Sequence, residues 1–454
     1  MGCSYSRAPN DQDRDQDMAT LVGDHFNEEI VYEDGTVEIR NECKWWSAVC
    51  GSQGCIYGIP YNARRIVKYN PVTEVKTSIG PDFGDDECKW IGAVMDDKGC
   101  IYCAPFSCDV ILKIDTTNDT VSTIESPLFN PGTYKWSVGS LALDGNIYFM
   151  PCHANRIMKV NCEFDTASMV GGDLGDSECK YFGSVVDHHG YVVGIPHNAK
   201  HVVRYNPATE TTDKFIYDGM ARKEMDVGNG VLGRDGCIYA VNPRGQVVKF
   251  DHANRCASWT RGKLSAPIIN VFGWINGILG IDGCIYWPPR GANRILKYDP
   301  FLGRASLVGA KIKSSRDDGI FAFRQEFTGG VMGHDGIIYC IPYSASQVLK
   351  IDPLAAFVKG LKADMELYPE RLGLIFEKKN GAGSKTAYES ALAMYAEIDI
   401  FQIIVGILTA NKTLTVNQLF LLAASYPDGA VSVVYYWLRL DPCMIESTDL
   451  AELK

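Results

Sequence analysis

Three thiols crowd the segment GDDECKWIGAVMDDKGCIYC (84–103): Cys88, Cys100 and Cys103, beside the acidic residues at 85–87 and 96–97. Cys100 and Cys103 have the C-x-x-C spacing of a zinc half-site, so the chemistry first suggested is metal ligation or a disulfide. Either requires the sulfurs to converge. A C-x-x-C chelate sits on a turn, whereas residues three apart in a strand point to opposite faces. The element that carries these cysteines therefore decides what they can do.

That element belongs to a repeat. An Ile-Tyr pair or its equivalent follows a turn at Ile56, Ile101, Ile147, Val192, Ile238, Ile285 and Ile338, with spacings of 45, 46, 45, 46, 47 and 53 residues. Each unit opens on an aromatic and small-residue segment (KWWSAV, KWIGAV, KWSVGS, KYFGSV). A turn ending in Gly follows, Asp-Gly at Asp144, Asp235, Asp282 and Asp335, which is a strong hairpin signal. The Ile-Tyr strand then runs to a proline (Pro60, Pro105, Pro151, Pro196, Pro243, Pro289, Pro342), and a loop leads to a third strand such as RIVKYN or VILKID. An Asn/Asp turn feeds a fourth strand.

Seven units of four short antiparallel strands are the pattern of a mainly β fold, a seven-bladed β-propeller, expected over 29–360. The segment EIVYEDGTVEI from Glu29 is expected to complete the last blade and remove the open edges. The cysteines then recur because blade positions recur: Cys55, Cys100, Cys237 and Cys284 precede Ile-Tyr, and Cys43, Cys88 and Cys179 precede Lys-aromatic. They read as buried small hydrophobes, with no metal assigned to them. The basic residue of the third strand (Lys68, Lys113, Lys159, Arg204, Lys249, Lys297, Lys350) reads as a fold feature whose stem packs along the blade.

Binding is expected at the face carrying the loops after the prolines and the loops between blades. Those loops hold Asn62, Arg64, Arg65, His153, Asn155, Arg156, His197, Asn198, Lys200, His201, Arg244, Arg290, Asn293 and Arg294, with Asp85, Asp86, Glu87, Asp176 and Glu178 from GDDEC and GDSEC. Arginine forks suit carboxylate or phosphate groups, so a protein or peptide ligand fits this face; mutual pairing of these arginines and acids as a solvated rim is the competing reading. The inner-strand positions expected along the channel are small or amide residues: Ser47, Gly92, Gly139, Gly183, Asn229, Asn276 and Gly329. No Ser/His/Asp or Cys/His pair and no convergent carboxylate set can be assigned, so no catalytic residue and no cofactor is expected.

Composition bounds the rest. With 46% hydrophobic and 22% charged residues the chain is an ordinary folded protein, and a net charge of −11 argues against a general nucleic-acid binder, which needs a basic face. The apolar run IDIFQIIVGILTA from Ile398 is shorter than the roughly 20 residues a transmembrane helix requires. The start, MGCSYS, fits N-myristoylation at Gly2, with Cys3 placed for palmitoylation. One acyl chain holds a protein only marginally and two hold it stably; Arg7 and Arg14 sit among aspartates, so Cys3 has to supply the second signal. This start resembles the acylated N-termini of Src-type kinases and G-protein α subunits, and implies an acylated arm over 1–28, reduced thiols and the cytoplasmic side of a membrane, the plasma membrane in those families.

The DG-x-IY turn-strand followed by an apolar-Lys-apolar-Asp strand resembles NHL-repeat, gluconolactonase-type and streptogramin-lyase-type propellers. That likeness implies, as the alternative function, a metal-dependent hydrolase or lyase acting on a small ester or lactone. Beyond 360 the spacing becomes helical (TAYESALAMYAEI, TVNQLFLLAASY, AVSVVYYWLRL), with a capping box at Thr415 and Gln418. GSKTAYESAL and LLAASYPDGAVSVVYYWLRLDP resemble degenerate ankyrin repeats, so 361–454 is expected to be a helical protein-contact module. The function expected first is a non-catalytic adaptor anchored through its N-terminal lipids.

Overall fold

The period-2 strands of each unit pair with one another in chain order. In the second unit Trp90–Met95, Cys100–Pro105, Val110–Asp115 and Thr120–Glu125 form one antiparallel sheet. The same arrangement recurs in five more units, and the seventh sheet combines three late strands with one from the start of the chain. The protein is thus a seven-bladed β-propeller. The computed structural model describes residues 18–355 apart from 24–25, 32–33, 35, 41, 130–131, 219–226, 243–244, 253, 261–272, 301, 313–324 and 354. Gly2 and Cys3 and the helical module expected over 361–454 lie outside the described residues. Among the described residues no helix is long and apolar enough to cross a membrane.

The ring closes differently from the sequence expectation. Ala19–Val22 pairs antiparallel with Val348–Ile351, Ala19 opposite Ile351 and Val22 opposite Val348. The Asp352 N–H donates to the Met18 carbonyl at 2.8 Å. Glu28–Val31 and Val37–Arg40, the segment expected to close the ring, instead pair with each other as a separate hairpin. The compact unit accordingly spans Met18–Pro353, and the ring begins inside the stretch expected to be an arm. Ala19–Val22 thereby becomes the outermost strand of the seventh blade, and joining both ends of the propeller in one sheet closes the ring.

The core lies between blades, which is why no blade is self-sufficient. Tyr57, Ile59 and Ile66 of the first blade interdigitate with Trp90, Ile101, Cys103 and Leu112 of the second. Tyr102, Ala104 and Ile111 of the second meet Trp136, Ile147, Phe149 and Met158 of the third. Strand alternation thus sends Cys103 toward the first blade and Cys100 toward the third. Cys88 belongs to a third cluster at the end of the ring. The thiols at 88, 100 and 103 do not converge.

At the end carrying the hairpin turns, a tyrosine, an aspartate and a lysine lock the blades. Tyr57 donates to Asp119 at 2.7 Å and Tyr102 to Asp165 at 2.8 Å, both aspartates belonging to the following blade. Lys68 and Lys113 bind the same carboxylates at 2.6 and 2.7 Å. In later blades the aspartate of the blade's own hairpin takes over: Tyr239 and Lys249 share Asp235, and Tyr286 and Lys297 share Asp282. The recurring lysine of the third strand is thereby accounted for as structure. In the fourth blade Val193 replaces the tyrosine, and Arg204 pairs with Asp213 and lies over the Tyr191 ring.

Two predictions follow from this packing. A Cβ on Gly194 would lie 2.6 Å from Val203 Cγ1 and 2.9 Å from the Met150 sulfur. Gly194→Ala should overpack the seam between the third and fourth blades and cost about 1–3 kcal/mol in urea unfolding; an unchanged midpoint would show the seam to be loose. Between the fourth and fifth blades, His252 is buried with Nδ1 2.9 Å from the Tyr217 hydroxyl and Nε2 3.4 Å from Asp187. Burial lowers its pKa, with Arg204, Arg255 and His188 acting in the same direction and Asp187 opposing. The unfolded chain then binds the proton more readily, so stability is fully present above the ordinary imidazole pKa and is lost as pH falls through it toward the lower folded value. Thermal midpoints should drop from pH 7 to pH 5, and His252→Gln should flatten that slope.

Candidate functional site at the mouth of the ring

At the opposite end, where second strands finish on their prolines, backbone hydrogen bonds pass from blade to blade. The Tyr61 N–H donates to the Lys44 carbonyl, Lys89 to Tyr61, Phe106 to Lys89, Lys135 to Phe106, Cys152 to Lys135, Lys180 to Cys152 and His197 to Lys180, all at 2.8–3.0 Å. In the other direction Lys44 donates to Tyr343, Tyr343 to Glu326, Glu326 to Arg290 and Arg290 to Gly273. This belt sets the post-proline residues Tyr61, Phe106, Cys152, His197, Arg290 and Tyr343 side by side around one mouth.

The four lysines of the belt each follow a sharp backbone reversal. Cys43, Cys88, Tyr134 and Cys179 occupy that position with φ of 52°, 57°, 58° and 49°. A non-glycine residue there costs on the order of 1–3 kcal/mol, so the surrounding structure must impose it. It does so four times in the same way: the carbonyls of Cys43, Cys88, Tyr134 and Cys179 accept the N–H groups of Asn62, Ser107, His153 and Asn198 at 2.9–3.1 Å. The lysines that follow are buried and donate into the loops, Lys44 to Ala345, Lys89 to Gly84 and Lys180 to Ser177 at 2.8–3.3 Å, while Lys135 meets the Asp109 carboxylate at 2.6 Å.

Each of these four left-handed residues faces the post-proline residue of the preceding blade. Cys43 meets the Tyr343 hydroxyl, Cys88 Sγ lies 3.0 Å from the Tyr61 hydroxyl, and the Tyr134 ring lies 4.8 Å from Phe106. The fourth such pair is two thiols. Cys152, Cys179 and His153 bring one ligand-type atom each within 4.8 Å of one another, and Cys179 Sγ is 3.4 Å from His153 Nε2. The Cys152 thiol and then the His153 imidazole stabilise the Cys179 thiolate against the opposing effect of burial, bringing its pKa down to about 5. The shared proton stays on Cys152, whose pKa is raised.

The floor of the mouth is aromatic. Trp46 is buried, its ring 5.1 Å from Tyr61, 5.4 Å from Tyr343 and 6.2 Å from Phe182, which comes from the fourth blade across the axis. The Arg290 guanidinium lies over the indole at 5.4 Å and donates to Gln325 at 2.6 Å. Burial lowers the Arg290 pKa. The indole Nε1–H of Trp46 has no hydrogen-bond partner among the described residues. Below this floor the inner strands approach closely: a Cβ on Gly92 would collide with the Val138 backbone, and one on Gly183 with Asn229. Asn276 donates to the Thr328 carbonyl at 2.8 Å. The Ser47 hydroxyl and the Asn229 and Asn276 amide oxygens are buried without partners among the described residues, which makes this lining polar. Gly139 turns back on Phe149 and Tyr148 of its own blade, where the register shifts.

The residues expected at this face divide sharply. Arg65, Arg156 and Arg294 each hold a glycine carbonyl fifteen residues on, those of Gly80, Gly171 and Gly309, which is a loop clamp. Arg64 pairs with Asp82 and Asp85 at 2.8 and 2.9 Å, as a solvated rim would. Asp86, Glu87, Asp176, Glu178, Asn155 and Lys200 are exposed, and His201 is half-buried. Asn62 and Asn198 bind loop backbone, at Cys88 N–H and the Glu178 carbonyl. Asn293 is exposed, and Arg244 lies outside the described residues. His153, His197 and Arg290 do reach the mouth, His197 with its ring 5.5 Å from Phe182. Trp46, Tyr61, Cys152 and Cys179 were not singled out by sequence as site residues; the thiol pairing follows from Cys152 standing directly after Pro151, where the first, second and seventh blades carry an aromatic.

No protein-family model matches the chain, and no curated protein matches it. Solved structures do. A streptogramin B lyase superposes with a TM-score of 0.55 at 13% identity, over 72% of this chain and 97% of that one. A virginiamycin B lyase from Staphylococcus aureus gives 0.53 at 13% identity over 74% and 99%. The hydrazine synthase of Kuenenia stuttgartiensis gives 0.52 at 13% over 71% and 99%. At these identities the likeness is one of fold.

The thiol geometry predicts an order of reactivity. Iodoacetamide attacks the thiolate, and a pKa near 5 leaves Cys179 ionised at pH 6, where ordinary thiols are protonated. In reduced protein Cys179 should be alkylated first, at a rate nearly independent of pH between 6 and 8, and His153→Ala should slow it at pH 6. Peptide mapping that finds exposed Cys256 modified first at pH 6 would contradict this arrangement.

Proposed function

We propose that the protein is a non-catalytic binding module, held at the cytoplasmic face of a membrane by acyl chains on Gly2 and Cys3, and that the mouth of the ring receives a protein or peptide ligand. The observation that carries this reading is the Trp46 floor. An indole whose buried N–H has no partner among the described residues, ringed by Tyr61, Tyr343 and Phe182 and covered by Arg290, combines aromatic area with one donor and one cation. Tryptophan, tyrosine and arginine are the residue types that dominate binding hot spots. The contact of Trp46 with Phe182 across the axis favours a ligand seated on the mouth over a small substrate entering a deep channel. Arg290 supplies the recognition of a carboxylate or phosphate on that ligand.

The test is proximity labelling in cells with the full chain fused to a biotin ligase. The Tyr134→Ala/Arg290→Gln double variant should lose a defined set of labelled proteins while staying in the membrane fraction. Gly2→Ala should move to the soluble fraction, and Leu143→Ser, on an exposed turn at the other end, should change neither. An unchanged labelled set in the double variant would refute the docking face. Membrane retention of Gly2→Ala would refute the anchor.

A further inference from the structure

We infer that Cys152, His153 and Cys179 form a binding site for a soft divalent metal ion, zinc in the first instance, at the seam between the third and fourth blades. The donor set is two sulfurs and one imidazole nitrogen, the combination that selects zinc over magnesium or calcium. The donor spacing is that of a site for one ion. Zn–S of about 2.3 Å and Zn–N of about 2.0–2.1 Å at tetrahedral angles put sulfur and nitrogen roughly 3.6 Å apart. Cys179 Sγ and His153 Nε2 are separated by 3.4 Å. All three donor atoms fall within 4.8 Å of one another, the range a single ion spans.

The repeat shows that this convergence is particular to one seam. The equivalent contacts pair Cys88 with Tyr61 and Tyr134 with Phe106. Only here, among the described pairs of this kind, is the post-proline aromatic replaced by a second thiol with a histidine next to it. The donors are also held firmly. The Cys152 N–H donates to the Lys135 carbonyl, the Cys152 carbonyl accepts from Lys180, and the Cys179 carbonyl accepts from Asn198. The His153 N–H donates to Tyr134, and its ring stands edge-on to the Tyr134 ring at 5.3 Å. Three protein donors leave the fourth tetrahedral position to water or to a donor atom of a ligand at the mouth, the arrangement of open rather than closed zinc sites.

Full-length protein kept reduced, incubated with excess Zn(II) and desalted, should retain about one equivalent of zinc. Co(II) in its place should give an intense near-ultraviolet thiolate-to-cobalt charge-transfer band. Cys179→Ser and His153→Gln should each weaken binding by at least roughly tenfold, the scale on which even supporting residues of metal sites act. Cys88→Ser should leave it unchanged, and loading should protect Cys152 and Cys179 from alkylation. Because Cys179 and His153 are partly exposed, their variants keep the test sound where Cys152→Ser unfolds, and circular dichroism checks each. Retention near zero, an equivalent that survives Cys179→Ser, or a cobalt spectrum without the thiolate band overturns the site. So does a Cys152–Cys179 disulfide in protein isolated under inert gas that, after reduction, takes up no metal.

Discussion

The belt of backbone hydrogen bonds around the mouth is the constraint on which the rest of the molecule depends. In the first four blades each link joins a residue after a proline to the lysine that opens a blade, behind a residue that turns left-handed; Gly273 and Glu326 take the lysine's place in the sixth and seventh. The strain accepted at Cys43, Cys88, Tyr134 and Cys179 is thus offset by a carbonyl–amide bond made in the same place each time. In return, side chains more than a hundred residues apart in sequence, such as Trp46 and Phe182, are held at fixed spacing.

The two ends of the ring divide the work. At the turn end, tyrosine hydroxyl, aspartate and lysine meet in blade after blade, and the aspartate comes from the next blade in the early units and from the same blade in the later ones. A buried phenol that donates to a paired carboxylate is a satisfied polar group, which stabilises without inviting a ligand. At the mouth the repeat lets go of uniformity: the positions after the seven prolines read Tyr, Phe, Cys, His, Arg, Arg and Tyr, and several buried polar atoms there have no partner among the described residues. Variation on an invariant frame is what a binding surface needs, since specificity requires differences that the frame itself does not require.

Much of the frame was legible in the sequence because a repeat writes the same physics seven times. The Ile-Tyr strand, the Asp-Gly turn and the terminal proline located the blades, and strand alternation alone excluded a chelate by Cys100 and Cys103. The closing strand was not legible: Ala19–Val22 carries none of the repeat's grammar, and a four-residue strand is specified by its partner Val348–Ile351 rather than by itself. The site was half legible. Loop membership picked out His153, His197 and Arg290 but also Arg65, Arg156 and Arg294, whose fifteen-residue spacing to a glycine marks them as loop clamps only once the carbonyls are seen. Cys152 and Cys179 lie 27 residues apart in sequence, and only the inter-blade seam brings them together.

The central claim is that ligand engages the mouth and leaves the turn end alone. Hydroxyl-radical footprinting of the full chain, free and in the assemblies recovered with it from membranes, tests this most directly. Protection should concentrate on Tyr61, Tyr134, Cys88 and His197, with Val72, Leu143, Phe164 and Leu302 at the turn end reacting as in the free protein. Protection of those turn residues with the mouth unchanged would contradict it.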